Sequence, residues 1–147
     1  MPFFVSVNIS MKENPISSDL KIMTVDDSVI VAERLALMLN EVEKVKFLGN
    51  ATNIATALHL IGERVPHVVI LDINLKDDML VANGVHLLIQ LRRKYPTMKI
   101  IMLTNLSGPQ YRSTCMTLGA DYFFDKTNDF EKIPETLKEI QVQLDKA

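Results

Sequence analysis

The sequence predicts an α/β protein, a doubly wound parallel sheet with helices on both faces, and three observations carry that expectation. Residues 68–71, Val-Val-Ile-Leu, are an apolar run rich in β-branched types that ends in Asp72, as a strand buried on both sides would. Residues 21–25 run in the same way into Asp26 and Asp27, and residues 100–103 into Thr104. Between these runs lie segments whose apolar residues recur at helical spacing. Ligands of such sheets sit just beyond the carboxyl ends of the strands, so these four polar residues share one rim. A fourth run, residues 122–124, leads through Asp125 to Lys126 and adds a flexible cation to it.

The elements follow in order. Residues 3–9 alternate, with Phe3, Val5, Val7 and Ile9 on one side and Phe4, Ser6 and Asn8 on the other, the period of a half-buried strand; residues 11–19 read as a linker. That strand would add to a sheet edge, either its own or that of a second copy, which gives a homodimer; the alternative is an untethered tail. After strand 21–25, Ser28 caps a helix to about Asn40 with Val31, Leu35, Met38 and Leu39 inward. Residues 44–49 form a short strand whose Lys44 and Lys46 suit an edge, and Asn53 caps a helix carrying Ile54, Leu58 and Ile61. Pro66 restarts the chain in extended form toward Asp72. A polar loop to Asn83 precedes a helix over 84–94 with Val85, Leu88 and Leu91 inward, stopped near Pro96. Strand 98–103 follows. Pro109 opens a helix on which Tyr111, Cys115 and Leu118 mark the buried face, and Gly119 ends it. After strand 122–124, Asp129 caps a last helix with an apolar stripe of Phe130, Ile133, Leu137, Ile140 and Leu144; Pro134 is tolerable because it lies in the first turns. Five β-α units result.

With 147 residues, 48% hydrophobic and 23% charged, the chain suits one domain with a real core. A net charge of -2 without a sustained Lys/Arg run gives no footprint for nucleic acid, and no apolar run is long enough to span a bilayer. The first ten residues lack the basic start and small-residue cleavage site of a secretory signal, so a cytoplasmic location is expected. The single cysteine, Cys115, agrees with a reducing compartment.

Carboxylates gathered at strand ends repel one another unless a cation joins them, which implies a divalent metal. Hard oxygen donors, and no His/Cys set at transition-metal spacing, favour Mg²⁺. His59, His67 and His86 read as structural or surface residues. A carboxylate beside Mg²⁺ can attack a phosphoryl group to form an acyl phosphate, while the metal, a hydroxyl and an ammonium neutralise the phosphoryl oxygens. Asp72, Thr104 and Lys126 supply those parts.

VDDS at 25–28, VVILDINL at 68–75, IIMLTN at 100–105 and GADYFFDK at 119–126 together resemble a response-regulator receiver domain. The resemblance implies an N-terminal extension over 1–19, a receiver domain over 20–147 and a flavodoxin-like strand order 2-1-3-4-5. It makes Asp72 the phosphoacceptor, Asp27 a direct Mg²⁺ ligand, Asp26 a ligand mostly through water and Asn74 a ligand through its backbone carbonyl. Thr104 and Lys126 match the phosphate-sensing residues and Phe123 the aromatic switch, with Tyr122 and Phe124 beside it. The implied function is a stand-alone receiver that takes phosphate from a histidine kinase or phosphotransfer protein and is not otherwise an enzyme, although it promotes its own phosphorylation and dephosphorylation. Its downstream partner would meet the face of the fourth helix, the last strand and the final helix, where Arg112 and Met116 point outward. Two departures stand out: Lys76 replaces a common proline and Gly84 comes late, so loop 76–83 is long, and Thr127 replaces the proline that commonly follows the lysine, so no cis peptide is expected there. Two other functions compete. A Mg²⁺-dependent phosphatase would want two aspartates one residue apart, which 25–28 lacks; an unphosphorylated interaction module would not need the full acidic and basic set.

Overall fold

The computed structural model describes residues 19–75 and 83–146. The strand expected over residues 3–9, the linker after it and most of the long loop 76–83 lie outside the described residues. The elements are β1 (Leu20–Val25), α1 (Val29–Asn40), β2 (Val45–Ala51), α2 (Ile54–Arg64), β3 (Val68–Leu71), α3 (Gly84–Lys94), β4 (Lys99–Thr104), α4 (Pro109–Thr117), β5 (Tyr122–Asp125), a 3₁₀ turn (Phe130–Lys132) and α5 (Ile133–Lys146).

All four strand pairings are parallel, in the order β2-β1-β3-β4-β5. The winding direction reverses between β1 and β3, which splits the helices between the faces. Alternate strand residues supply two cores. Ile22, Val68, Ile70, Ile101 and Leu103 pack with Leu35 and Leu39 of α1 and with Ile133, Leu137 and Ile140 of α5. Met23, Val25, Val69, Leu71, Ile100 and Met102 pack with Ala57 and Ile61 of α2, Leu87, Leu88 and Leu91 of α3, and Cys115 of α4. Burial on both faces is why the central strands read as unbroken apolar runs.

Short polar side chains start three helices. Ser28 Oγ accepts from the Val31 N–H at 3.3 Å, and Asn53 Oδ1 accepts from the Thr56 N–H at 2.8 Å. Asn83 Oδ1 accepts from the N–H groups of Val85 at 2.9 Å and His86 at 3.3 Å. Pro109 stands in the first turn of α4. Beyond α3, the Arg92 guanidinium donates to the carbonyls of Met98 (2.7 Å) and Pro96 (3.0 Å), to that of Gly119 from both Nε (2.9 Å) and Nη2 (2.7 Å), and to the Asp121 carboxylate (2.7 Å). Asp121 in turn accepts from the Ile100 N–H, so one side chain ties the end of α3 to both β4 and the approach to β5.

Five expectations need correction. Tyr111 is 42% exposed. Helix α4 lies over the last strand of the sheet, where only the narrow strip at Cys115 is fully covered. On α2 the covered positions are Ala57 and Ile61 while Leu58 is exposed, because the turn capped by Asn53 rotates the i, i+4 pair at 57 and 61 onto the sheet. Leu144 is exposed because the last turn of α5 outruns the apolar stripe, whose buried part ends at Ile140. Lys44 precedes β2 in a left-handed conformation, φ +62°, whereas Lys46 sits on the edge strand as expected. Asp129 makes no side-chain cap for the final helix; its carboxylate accepts from the Asp125 N–H at 2.9 Å instead.

Candidate functional site

Hydrogen bonding carries the sheet's order one residue past β1 and β3. The Asp26 N–H donates to the Ala51 carbonyl and the Asp72 N–H to the Val25 carbonyl, each at 3.0 Å, so both aspartates leave the rim in fixed directions. Asp26 is braced twice more: its Oδ1 accepts from the Ser28 N–H at 2.8 Å, and its backbone carbonyl accepts from Asn50 Nδ2 at 3.0 Å. Asn50 Oδ1 accepts from the Thr24 hydroxyl at 2.7 Å. Asp72 Oδ1 accepts from the Asn74 N–H at 3.2 Å. Both carboxylates are buried.

Lys126 joins them. Its Nζ lies 2.8 Å from Asp26 Oδ2 and 2.8 Å from Asp72 Oδ2, with the side chain itself 9% exposed. Its backbone N–H donates to the Thr104 carbonyl at 3.1 Å, which continues the β4–β5 pairing. Burial works against the charge on the Lys126 ammonium, but the hydrogen bonds and charges of Asp26 and Asp72 outweigh it and hold the group above its ordinary range. Burial raises the Asp26 carboxyl above the usual carboxylate range, with Lys126 and the Ser28 N–H opposing and Asp72 adding to the rise.

Carboxylate oxygens of Asp26, Asp27 and Asp72 all lie within 4.8 Å of one another. Three hard anionic donors so close fit a small divalent cation, because one ammonium leaves the trio with net negative charge. Thr104 is fully buried, and its Oγ accepts from the Leu106 N–H at 3.1 Å, which leaves the hydroxyl proton free to donate elsewhere. Phe123 is buried, with the Arg112 guanidinium 5.7 Å from the ring centroid and donating to the Phe123 carbonyl at 3.1 Å. Tyr122 and Phe124 pack on the opposite core. Arg112 and Met116 are exposed, as is Asn74.

The structure thus brings Asp26, Asp27, Asp72, Thr104 and Lys126 to one rim, with Phe123 on β5 three residues before Lys126 and paired with Met102. The histidines stand apart: His67 Nδ1 accepts from the Lys21 N–H at 2.8 Å, His59 lies on the surface 3.7 Å from Glu63, and His86 is exposed. Among the described residues no peptide bond is cis. The fit of Gly84 was not foreseen. Its first-turn backbone presses on the Asp72 peptide so closely that a Cβ would overlap the Asp72 carbonyl oxygen. Nor were the Asn50 brace, the Arg112 contact, or an exposed apolar face on α1, with Val29 (62%) and Ile30 (72%) in the first turn after the acidic pair and Leu37 (69%) two turns further along. That face was hidden because its residues share a helix with a conventional inward stripe.

An acidic trio and one lysine at the reversal point of a five-stranded parallel sheet mark a doubly wound domain whose rim suits a divalent cation and phosphoryl chemistry on an aspartate. The particular family follows from comparison: the response regulator receiver domain family matches residues 22–138, and the chain belongs to it. Receiver domains serve two-component signalling, carry a phosphorylatable aspartate and bind Mg²⁺ through acidic residues. Among curated proteins, the sensory transduction protein LytT of Bacillus anthracis is 29% identical over 124 residues, covering 84% of this chain and 48% of that protein. A protein-glutamate methylesterase/protein-glutamine glutaminase 1 of Carboxydothermus hydrogenoformans is 34% identical over 124 residues, covering 83% of this chain and 35% of that protein. The chain therefore spans about half or less of the length of these relatives. In three dimensions it resembles the isolated REC domain of RcsB from Salmonella enterica serovar Typhimurium, solved with the phosphomimetic BeF3-, at a TM-score of 0.77 and 22% identity over 84% of this chain and 89% of that one. Among the described residues no helix is long and apolar enough to cross a membrane.

Proposed function

We propose that this chain accepts a phosphoryl group on Asp72 from the phosphohistidine of a kinase or phosphotransfer protein and signals through protein contacts. One observation carries the reading: Lys126 reaches Asp26 and Asp72 at 2.8 Å within a trio of carboxylates whose oxygens lie within 4.8 Å of one another. Asp26, Asp27 and Asp72, with the backbone carbonyl of Asn74, would hold Mg²⁺, and the ion when bound supplies the positive charge that lets an anionic donor approach.

An Asp72 oxygen attacks phosphorus, the phosphorus–nitrogen bond of the donor breaks, and the donor imidazole leaves with its electron pair. The Lys126 ammonium already faces Asp72 and needs little movement to meet a phosphoryl oxygen. The Thr104 hydroxyl donates its free proton to another. The exposed Val29 and Ile30, in the first turn of α1 just after the rim, suit an apolar docking contact for the donor, and Leu37 extends that face along the helix. Readout runs through Phe123 to the α4 face at Arg112 and Met116. The phosphatase alternative is less well supported, because the adjacent pair at 26–27 sends Asp26 to Lys126 and the Ser28 N–H rather than leaving it as a nucleophile. The test is intact mass after incubation with acetyl phosphate or phosphoramidate. A single phosphoryl adduct that needs Mg²⁺ and is lost in Asp72→Ala supports the reading; an adduct that survives the substitution, or forms equally well in EDTA, sinks it, as does no adduct at all.

A further inference from the structure

Lys126 has to aim a long side chain into the site from the first residue after β5, and the next residue, Thr127, has no ring to fix its φ. Something else must hold the turn. The Asp125 carboxylate is hydrogen-bonded three times: Oδ1 accepts from the N–H groups of Thr127 at 2.6 Å and Asn128 at 3.1 Å, and Oδ2 accepts from the Ser107 hydroxyl at 2.5 Å. The backbone of Asp125 is held as well, its N–H by the Asp129 carboxylate and its carbonyl by the Asp129 N–H, both at 2.9 Å. Ser107 belongs to the loop that follows Thr104, and Leu106 in that loop already donates to Thr104 Oγ. These contacts link the carrier of the lysine to the carrier of the hydroxyl.

We propose that Asp125 is a positioning residue that clips the β5–α5 turn to the β4–α4 loop through Ser107, and so sets Lys126 and Thr104 relative to each other. This rests on the reading of Asp72 as phosphoacceptor, since Lys126 and Thr104 are then the two groups that meet the phosphoryl oxygens. The clip acts twice. It removes the freedom of residues 127 and 128 and so fixes where the Lys126 stem begins; it also makes the two loops shift together when Thr104 is drawn toward Asp72. The Asp125 carboxylate takes its hydrogen bonds from Thr127, Asn128 and Ser107, and the larger part of its effect on phosphorylation passes through Lys126.

The experiment uses the whole chain with Mg²⁺ and phosphoramidate, and follows the rate of Asp72 phosphorylation as donor concentration is varied. Asp125→Ala is expected to lower the maximal rate roughly tenfold, the size of one lost positioning hydrogen bond, and to leave the half-saturating donor concentration unchanged. Asp125→Asn keeps an oxygen for the two N–H groups and is expected to stay within about twofold of wild type, while Ser107→Ala, which leaves the turn bonded, lies between, at about threefold. In a Lys126→Ala background, Asp125→Ala is expected to slow the reaction by no more than the roughly threefold of Ser107→Ala, the part that acts through the Thr104 loop. Amide hydrogen exchange on unphosphorylated protein supplies an arm independent of the chemistry: Thr127 and Asn128 should exchange faster in Asp125→Ala and not in Asp125→Asn. A wild-type rate in Asp125→Ala, an equal slowing with and without Lys126, or unchanged exchange at Thr127 and Asn128 each overturns the proposal. If the wild type takes no phosphate, the reading of Asp72 fails, and the exchange arm alone decides the clip.

Discussion

Replacing Gly84 with alanine should strike the site from behind. Gly84 opens α3, is buried, and donates its N–H to the Ile73 carbonyl at 2.8 Å. An added Cβ would stand 2.7 Å from Ile73 Cα and 2.8 Å from the Asp72 carbonyl carbon, and would overlap the Asp72 oxygen. All three are backbone atoms, so no side chain can swing away. An ordinary contact begins at 3.4 Å, so α3 and the Asp72–Ile73 peptide must part by at least about 0.7 Å, and by more at the oxygen. Neither side gives easily: Leu87, Leu88 and Leu91 lock the helix into the core, and β3 is buried throughout. Overpacking of this kind costs about 1–3 kcal/mol. A shift approaching 1 Å at a reacting carboxylate costs on the order of a hundredfold in rate. Urea unfolding should therefore show a lowered midpoint, and the phosphorylation rate, measured at a urea-free temperature where the variant is fully folded, should fall much further than stability alone explains. Val85→Ala, next in the helix and half-buried, is the control: it trims packing without pushing on Asp72. A wild-type midpoint in Gly84→Ala would refute the steric argument. A lowered midpoint with a wild-type rate would show that the helix, not the Asp72 peptide, absorbs the shift.

Three further outcomes are expected. Arg92→Leu removes the fork that holds the Gly119, Pro96 and Met98 carbonyls and should destabilise the fold by about 3 kcal/mol in urea titration; Arg92→Lys should recover little of it, since an ammonium cannot span those acceptors, and full recovery would count against the fork. Burial, and next the hydrogen bond to Glu139, push the Tyr122 phenol up to about 12. A folded value above the unfolded one means that its stabilisation is complete below pH about 10 and is lost as pH rises through about 12. Ultraviolet titration should show this late phenol moving down in Glu139→Gln, and an unmoved titration would assign the shift to burial alone. Amide shifts on adding beryllofluoride should reach Arg112 and Met116 in wild type and stop short in Thr104→Ala; equal spread in both would rule out the route through Thr104 and Phe123.

What could be read in the sequence was whatever depends on local pattern. Val68 to Leu71 had to be a central strand because four consecutive apolar residues are stable only with cover on both faces. Ser28, Asn53 and Asn83 could be placed as helix starts because a cap acts within three residues. The acidic rim was legible for a related reason: a charge that directly follows a buried strand has nowhere to go but the carboxyl edge. What escaped depends on contacts between distant segments. Arg92 reads as a surface residue of a basic helix end, and only the arrival of Gly119 and Asp121 gives it partners from another part of the chain. Tyr111 followed the helical stripe faithfully, yet the sheet ends beneath it. Asp129 had the chemistry of a cap but was claimed by the Asp125 N–H, because a 3₁₀ turn intervenes before α5. The exposed face of α1 was legible only as an excess of apolar residues over those the inward stripe needs.

The gathering of Asp26, Asp72 and Lys126 from three separate strands also bears on how the protein lives and dies as a folded object. In the unfolded chain these groups are far apart in sequence and their charges scarcely sense one another; crowding begins only once β1, β3 and β5 stand in register. Repulsion among the carboxylates is then confined to the finished structure, and so is any relief of it by a bound cation. Interactions absent from the barrier state alter escape from the native basin rather than entry into it. Millimolar Mg²⁺ is therefore expected to lower the unfolding arm of a chevron plot without changing its slope and to leave the refolding arm where it was, so that the lifetime of the native state records occupancy of the rim.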